Sequence, residues 1–195
     1  IFRIMIGEVK KSGANQKFGG GRTMNEKQIV NPYLPNWEYV PDGEPYCFGD
    51  RVYVYGSHDF FGGDVYCPGD YVCWSAPKED LGNWRYEGVI YRKDQDPHNT
   101  DLQGNLYAPD VTIGPDGRYY LYYVLSSGGV VSVAVADQPA GPYAFFGYVH
   151  YPDGTNLGQK EGDEPQFDPG VLTEADRTYL YTGFCGHGDK SRHGA

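Results

Sequence analysis

The sequence predicts an all-β protein made of four-stranded sheets fanned about a common centre, a β-propeller, and three observations predict it. The first is a repeat. An acidic residue in a Pro- or Gly-marked segment is followed eight or nine residues later by Arg, at the head of an aromatic, alternating run. The pairs are Asp42 with Arg51 (DRVYVY), Asp110 with Arg118 (GRYYLY) and Asp168 with Arg177 (DRTYLY). The arginines recur at about sixty residues, a period of propeller blades and stacked repeats. The second observation is composition: 19 Tyr, 28 Gly and 14 Pro in 195 residues. Tyr favours strands, while Gly and Pro punctuate turns. The third is independent of the repeat: Gly88 and Gly147 fall at matching places in two predicted fourth strands.

Taken in order, residues 1–23 are basic, polar and Gly-rich (KKSGANQKFGGGRT), with little to bury. They read as a disordered upstream or non-native leader, and the propeller part as residues 24–195. Asn31 to Asp42 is a Pro-rich extended approach. Arg51 to Tyr55 is a strand with Val52 and Val54 on one face and Tyr53 and Tyr55 on the other. Gly56 to Asp64 is a loop, Tyr71 to Ser75 a third strand and Trp84 to Tyr91 a fourth, which completes one blade. After the polar crossover Arg92 to Asn105 the pattern restarts. Strands are predicted at Tyr107–Ile113, Arg118–Leu125, Val130–Ala136 and Tyr143–Tyr151, with a GPDG turn at Gly114–Gly117. A third unit offers Phe167–Leu172 and Arg177–Thr182, and the chain then stops. About two and a half blades are present, against the ~4–8 of closed propellers, so the expectation is a truncated propeller with an exposed flank and a bare strand edge.

The formal net charge of −10 argues against nucleic acid or an anionic membrane as partner and suits a neutral substrate without identifying one. Cys47, Cys67, Cys73 and Cys185 form no CxxC pair and read as reduced, buried thiols. No apolar run is long enough for a bilayer, and the N-terminus lacks an export signal. That favours cytoplasmic handling of short oligosaccharides.

The repeat assigns Asp42, Asp110 and Asp168 to the leading strand of each unit, the strand nearest a propeller axis. Three acids meeting there perturb one another's ionisation. Cleavage of a glycosidic bond uses such a set: one carboxylate as base on water, another as acid on the leaving oxygen. Tyr46, Trp74, Tyr107 and Phe167 are candidate flat faces for a sugar ring, and His58, Asp59 and Glu164 candidate contacts. Any single Asp-Gly or Asp-Pro is more often a turn former, and for Asp110 a structural partner of a backbone N–H is as good a reading as a substrate contact. Asp94, Asp96 and Asp101 lack the spacing and closing Glu of a calcium loop. His187 and His193 sit in Gly-rich loops, where a surface role is the simpler reading, so no metal ligand is assigned.

From about Asn31 to its end the chain resembles glycoside hydrolase family 43, through NPYLP, FGDRVYVYGSHD after Asp42, YAPDV with GRYYLYYV, and FDPGVLTEADRTYLYTG. The resemblance implies a five-bladed propeller and inverting hydrolysis of arabinofuranosyl or xylosyl linkages in plant cell-wall oligosaccharides. It makes Asp42 the general base, Asp168 the residue that orients the acid and raises its pKa, and Asp110 a shaper of the sugar subsite. The family's usual Asp-Pro-Ser is Asp42-Gly43-Glu44 here, so Glu44 competes with Asp42; the spacing to Arg51 favours Asp42. The family's general acid is a later Glu. Glu174 falls in a turn and Glu161 precedes the strand, so the acid is expected beyond Ala195 and the 195-residue chain nearly inactive alone. No cofactor is required, and a structural calcium ion on the axis is admitted by the resemblance. The rival functions are a non-catalytic carbohydrate-binding propeller and a related fructoside-acting hydrolase.

Overall fold

In the structure, a computed structural model, residues 31–184 are described. The first sheet has the order β1 (Glu44–Phe48), β2 (Arg51–Gly56), β3 (Tyr71–Pro77) and β4 (Arg85–Tyr91). The second repeats it with β5 (Leu106–Ile113), β6 (Tyr119–Leu125), β7 (Ser132–Ala136) and β8 (Ala144–Tyr148). A third sheet pairs β9 (Gln166–Glu174) with β10 (Arg177–Phe184). All pairings are antiparallel between neighbours in sequence, the connectivity of propeller blades. The leading strands β1, β5 and β9 lie side by side. The leader at 1–23, Cys185, His187 and His193 lie outside the described residues.

The alternation read from β2 explains how the blades stack. Tyr53 and Tyr55 enter a cluster with Tyr71, Cys73, Tyr91, Leu106, Val111, Leu121, Tyr123 and Tyr143 between the first two sheets. Val52 and Val54 face the other way, against Tyr33 and Trp84 around a smaller apolar hollow. A core rich in Tyr carries polar tips into a dry space, where an unpaired hydroxyl costs about 1–3 kcal/mol. The tips of Tyr55, Tyr71, Tyr91, Tyr123 and Tyr143 are met. Tyr55 and Tyr143 both donate to the Pro139 carbonyl at 2.7 and 3.0 Å. Tyr71 donates to the Tyr107 carbonyl at 2.5 Å. Tyr123 donates to Asp96 at 2.6 Å and shares a 2.7 Å bond with Tyr91.

Asp96 is a structural centre. It is buried and also accepts from Ser132, Tyr148 and the His98 amide, which pins the crossover to the second sheet. The two matching glycines are structural as well. Gly88 pairs with Cys73 and Gly147 with Val133, each beside a register shift in its blade. A bulge at one phase of both outer strands bends the edge.

Several boundaries differ from expectation. Arg118, Val130 and Tyr143 lie outside their strands, because end residues lack the paired neighbour that a pattern assumes. The repeated arginines do unlike work. Arg51 donates to Ser75 Oγ at 2.8 Å and Arg118 pairs with Asp116 at 2.7 Å, while Arg177 is exposed. Cys67 and Cys73 are buried, but Cys47 is exposed, since it occupies the outward phase of β1. On the third sheet Leu172, Tyr179 and Tyr181 are exposed. Leu172 and Tyr179 face each other across the β9–β10 pair.

Candidate active site

Asp42 does not lie in the leading strand, as the repeat suggested. It precedes β1 by two residues in a left-handed turn, φ 56°, with Gly43 behind it. Asp168 lies within β9 but is also left-handed, φ 45°. Such backbone is uncommon for residues other than Gly and clusters at functional sites. Of the five non-glycine residues with positive φ among the described residues, three (Asp42, Cys67 and Asp168) line one cavity.

GSHD, Gly56 to Asp59, builds the mount for Asp42. A Cβ on Gly56 would stand 2.6 Å from the Pro41 carbonyl, so its hydrogen lets the 40–42 segment settle on β2. Ser57, fully buried, donates from Oγ to Asp42 Oδ2 at 3.0 Å. His58 Nε2 lies 2.9 Å from Glu38, which also accepts from Trp74 Nε1 at 2.8 Å. Asp59 bridges to Tyr39 and accepts the Cys67 amide at 2.6 Å. Gly56→Ala is expected to displace the Pro41–Asp42 turn and lower kcat by about tenfold or more, since an ångström of misplacement can cost a hundredfold. Steady-state kinetics with far-UV circular dichroism as a folding control measure it.

Two cavities meet at Asp42, Asp168 and Ala108. The outer one, about 490 Å³, adds Pro41, Asp59, Tyr66, Cys67, Tyr107 and Phe167. Tyr107 and Phe167 stand edge to face there, centroids 5.9 Å apart. The inner one, about 510 Å³, runs along the leading strands past Glu44, Asp110, Gly170, Leu172 and Tyr181. Burial first, then the nearby Asp42, raises the Asp168 carboxyl above its ordinary value. Burial, then Asp110 and Asp42, raises that of Glu44. Burial pushes the Cys67 thiol up, with Asp59, Asp42 and Asp168 adding to it.

The raised Asp168 gives a stability prediction. In the window from 3.8 up to its raised native value, the folded protein holds a proton that the unfolded chain has lost. Stability therefore falls as pH rises through that window and stays lower above it. Asp168→Asn is expected to shift the urea midpoint upward at neutral pH, with the gain vanishing below the ordinary carboxylate value. Midpoints measured from acid to neutral pH check the sign.

Other sequence candidates fall elsewhere. Asp110 is 5% exposed and both its oxygens are engaged. Oδ1 accepts Tyr46 OH at 2.6 Å and the Val111 amide at 2.7 Å; Oδ2 accepts the Val171 amide at 2.6 Å. It ties the three sheets, and of the two readings weighed for it the structural one describes its contacts. Burial outweighs these three bonds and raises its carboxyl. Trp74 is buried against Trp37 and Tyr86 and lines neither cavity. His58 and Glu164 also lie outside both walls. Tyr66 and Cys67 line the outer cavity and were not singled out from sequence, because their loop has no periodicity. Ser57 was missed too, and its place in GSHD was the available signal. Among the described residues no cluster of three or more acidic, His or Cys side chains is placed to hold a metal ion.

Two left-handed aspartates thus meet where the leading strands of a β-propeller converge, flanked by aromatic edges. The sequence profile of glycosyl hydrolases family 43 matches residues 38–194, and the chain belongs to that family. It is 70% identical over 169 residues to a xylosidase/arabinosidase of Thermoclostridium stercorarium, covering 87% of this chain and 36% of that protein. Across three curated relatives the chain spans about a third of their length (36%, 34% and 36%). Among solved structures, a Xanthomonas citri family 43 enzyme complexed with xylose aligns with TM-score 0.58 and 24% identity, over 76% of this chain and 40% of the other. A β-xylosidase/α-arabinofuranosidase from a compost microbial metagenome, in complex with xylotriose and in a calcium-free form, aligns with TM-score 0.57 and 25% identity over 78% and 44%.

Proposed function

We propose that the protein hydrolyses xylosyl or arabinofuranosyl linkages of plant cell-wall oligosaccharides with inversion at the anomeric carbon. The observation that carries the reading is the meeting of Asp42 and Asp168 on the walls of both cavities, beside Tyr107 and Phe167. The 70% identical xylosidase/arabinosidase supports the choice of sugar.

In this mechanism Asp42, held by Ser57, takes a proton from a water molecule. The water oxygen attacks the anomeric carbon as the bond to the leaving oxygen breaks, and a carboxylic acid delivers its proton to that oxygen. Asp168 orients this acid and, by its negative charge, keeps it protonated. We place the donor outside residues 31–184. Glu161, Glu164 and Glu174 line neither cavity, and Glu44 sits on the inner side, away from Tyr107 and Phe167.

The test is proton NMR of the first product formed from aryl β-xyloside and aryl α-arabinofuranoside. The inverted anomer is expected to appear before mutarotation; the retained anomer would overturn the mechanism. Assaying the 195-residue chain beside any longer product of its reading frame locates the donor. Full turnover by the shorter chain, abolished in Glu44→Gln, would move that role to Glu44.

A further inference from the structure

We propose that the loop Phe60–Tyr66 is a stacking platform for the part of a neutral glycan chain that extends past the sugar held at Asp42 and Asp168. The proposal rests on the sugar-pocket reading above and adds where the rest of the substrate lies. The loop reads FFGGDVY and sends its apolar side chains into water: Phe61 is 86% exposed and Tyr66 79%, with Phe60 and Val65 more than half exposed. Contiguous exposed apolar surface of this kind marks a binding surface.

Its position identifies the occupant. Tyr66 forms part of the outer cavity wall with Tyr107 and Phe167. Asp59, on the same wall, bridges to Tyr39, whose ring lies 6.2 Å from that of Phe61. The apolar surface therefore continues the cavity outward. The loop is held at both ends rather than collapsed onto the blade. Gly69 donates to the His58 carbonyl and Gly63 to that of Phe60, both at 3.0 Å, and Asn105 Nδ2 donates to the Tyr66 carbonyl at 2.8 Å. A loop backbone held in advance presents aromatic side chains, each with only two rotatable bonds, at small entropic cost. Their faces suit the C–H side of a sugar ring, while the rim keeps its hydroxyls in water. Asp59 and Asp64 beside them, and the net charge of −10, disfavour an anionic chain.

The test is calorimetric titration with xylose, xylobiose, xylotriose and xylotetraose in an Asp42→Asn background, which keeps the sugars uncleaved. Affinity is expected to rise with chain length, by about tenfold from xylose to xylotetraose. In Phe61→Ala that ratio is expected to fall to about one, and Phe61→Trp to restore it. A ratio unchanged in Phe61→Ala, or no gain with length in the parent, would overturn the platform while xylose binding leaves the pocket reading standing. Failure to bind xylose at all would overturn both. A change of sedimentation coefficient in Phe61→Ala would show that a second copy covers the loop, which also defeats the proposal.

Discussion

In a product of the reading frame that carries the acid, Asp42→Asn is expected to lower kcat on aryl pentosides by about 10²–10⁴-fold, the contribution of a general base. The argument is geometric. Asp42 borders both cavities and Ser57 fixes one of its oxygens, leaving the other free to take the water proton. The amide keeps the shape and the Ser57 contact but cannot accept a proton from water at neutral pH. KM is expected to change by no more than about threefold, because the loss falls on the transition state. Glu44→Gln is the control: it borders the inner cavity alone of the two. Rate loss in Glu44→Gln with full activity in Asp42→Asn would reverse the assignment.

Asp110→Ala is expected to cost about 3 kcal/mol or more of stability, since three donors are left without an acceptor at about 1–3 kcal/mol each. Three donors lose their acceptor together: Tyr46 OH, the Val111 amide and the Val171 amide. Asp110 is 5% exposed, and each buried donor left without an acceptor costs about 1–3 kcal/mol. Asp110→Asn keeps one carbonyl oxygen and is expected to lose less. Urea unfolding followed by tyrosine fluorescence and circular dichroism reads both. A loss in Asp110→Ala below about 1 kcal/mol would mean that the sheets are held together without it.

The blades were legible because each strand alternates over a two-residue period and each turn carries Gly, Pro or Asp. Val52 and Val54 against Tyr53 and Tyr55 fixed which face meets the next blade. The bulges at Gly88 and Gly147 were legible as a coincidence of phase. The site was legible only in part. Asp42 and Asp168 stood out through their spacing to Arg51 and Arg177, yet those arginines have no common task. Spacing therefore reported a repeated structural unit, not a shared contact. Asp110 stands eight residues before its arginine rather than nine and has a different role, set by Val171 and Tyr46, which are 61 and 64 residues away. Tyr66 and Cys67 were not legible, since a loop fixed by Asp59 and Asn105 leaves no pattern in the residues it positions.

The tie at Asp110 bears on how the protein is made. As the chain leaves the ribosome, residues 44–148 can form both complete sheets while Val171 is still unsynthesised. Until that amide emerges, the first two blades hold a carboxylate oxygen that has no protein donor. The arrival of β9 supplies that donor, so the core between the first two sheets can form early while the bond that joins the third sheet to them is made last.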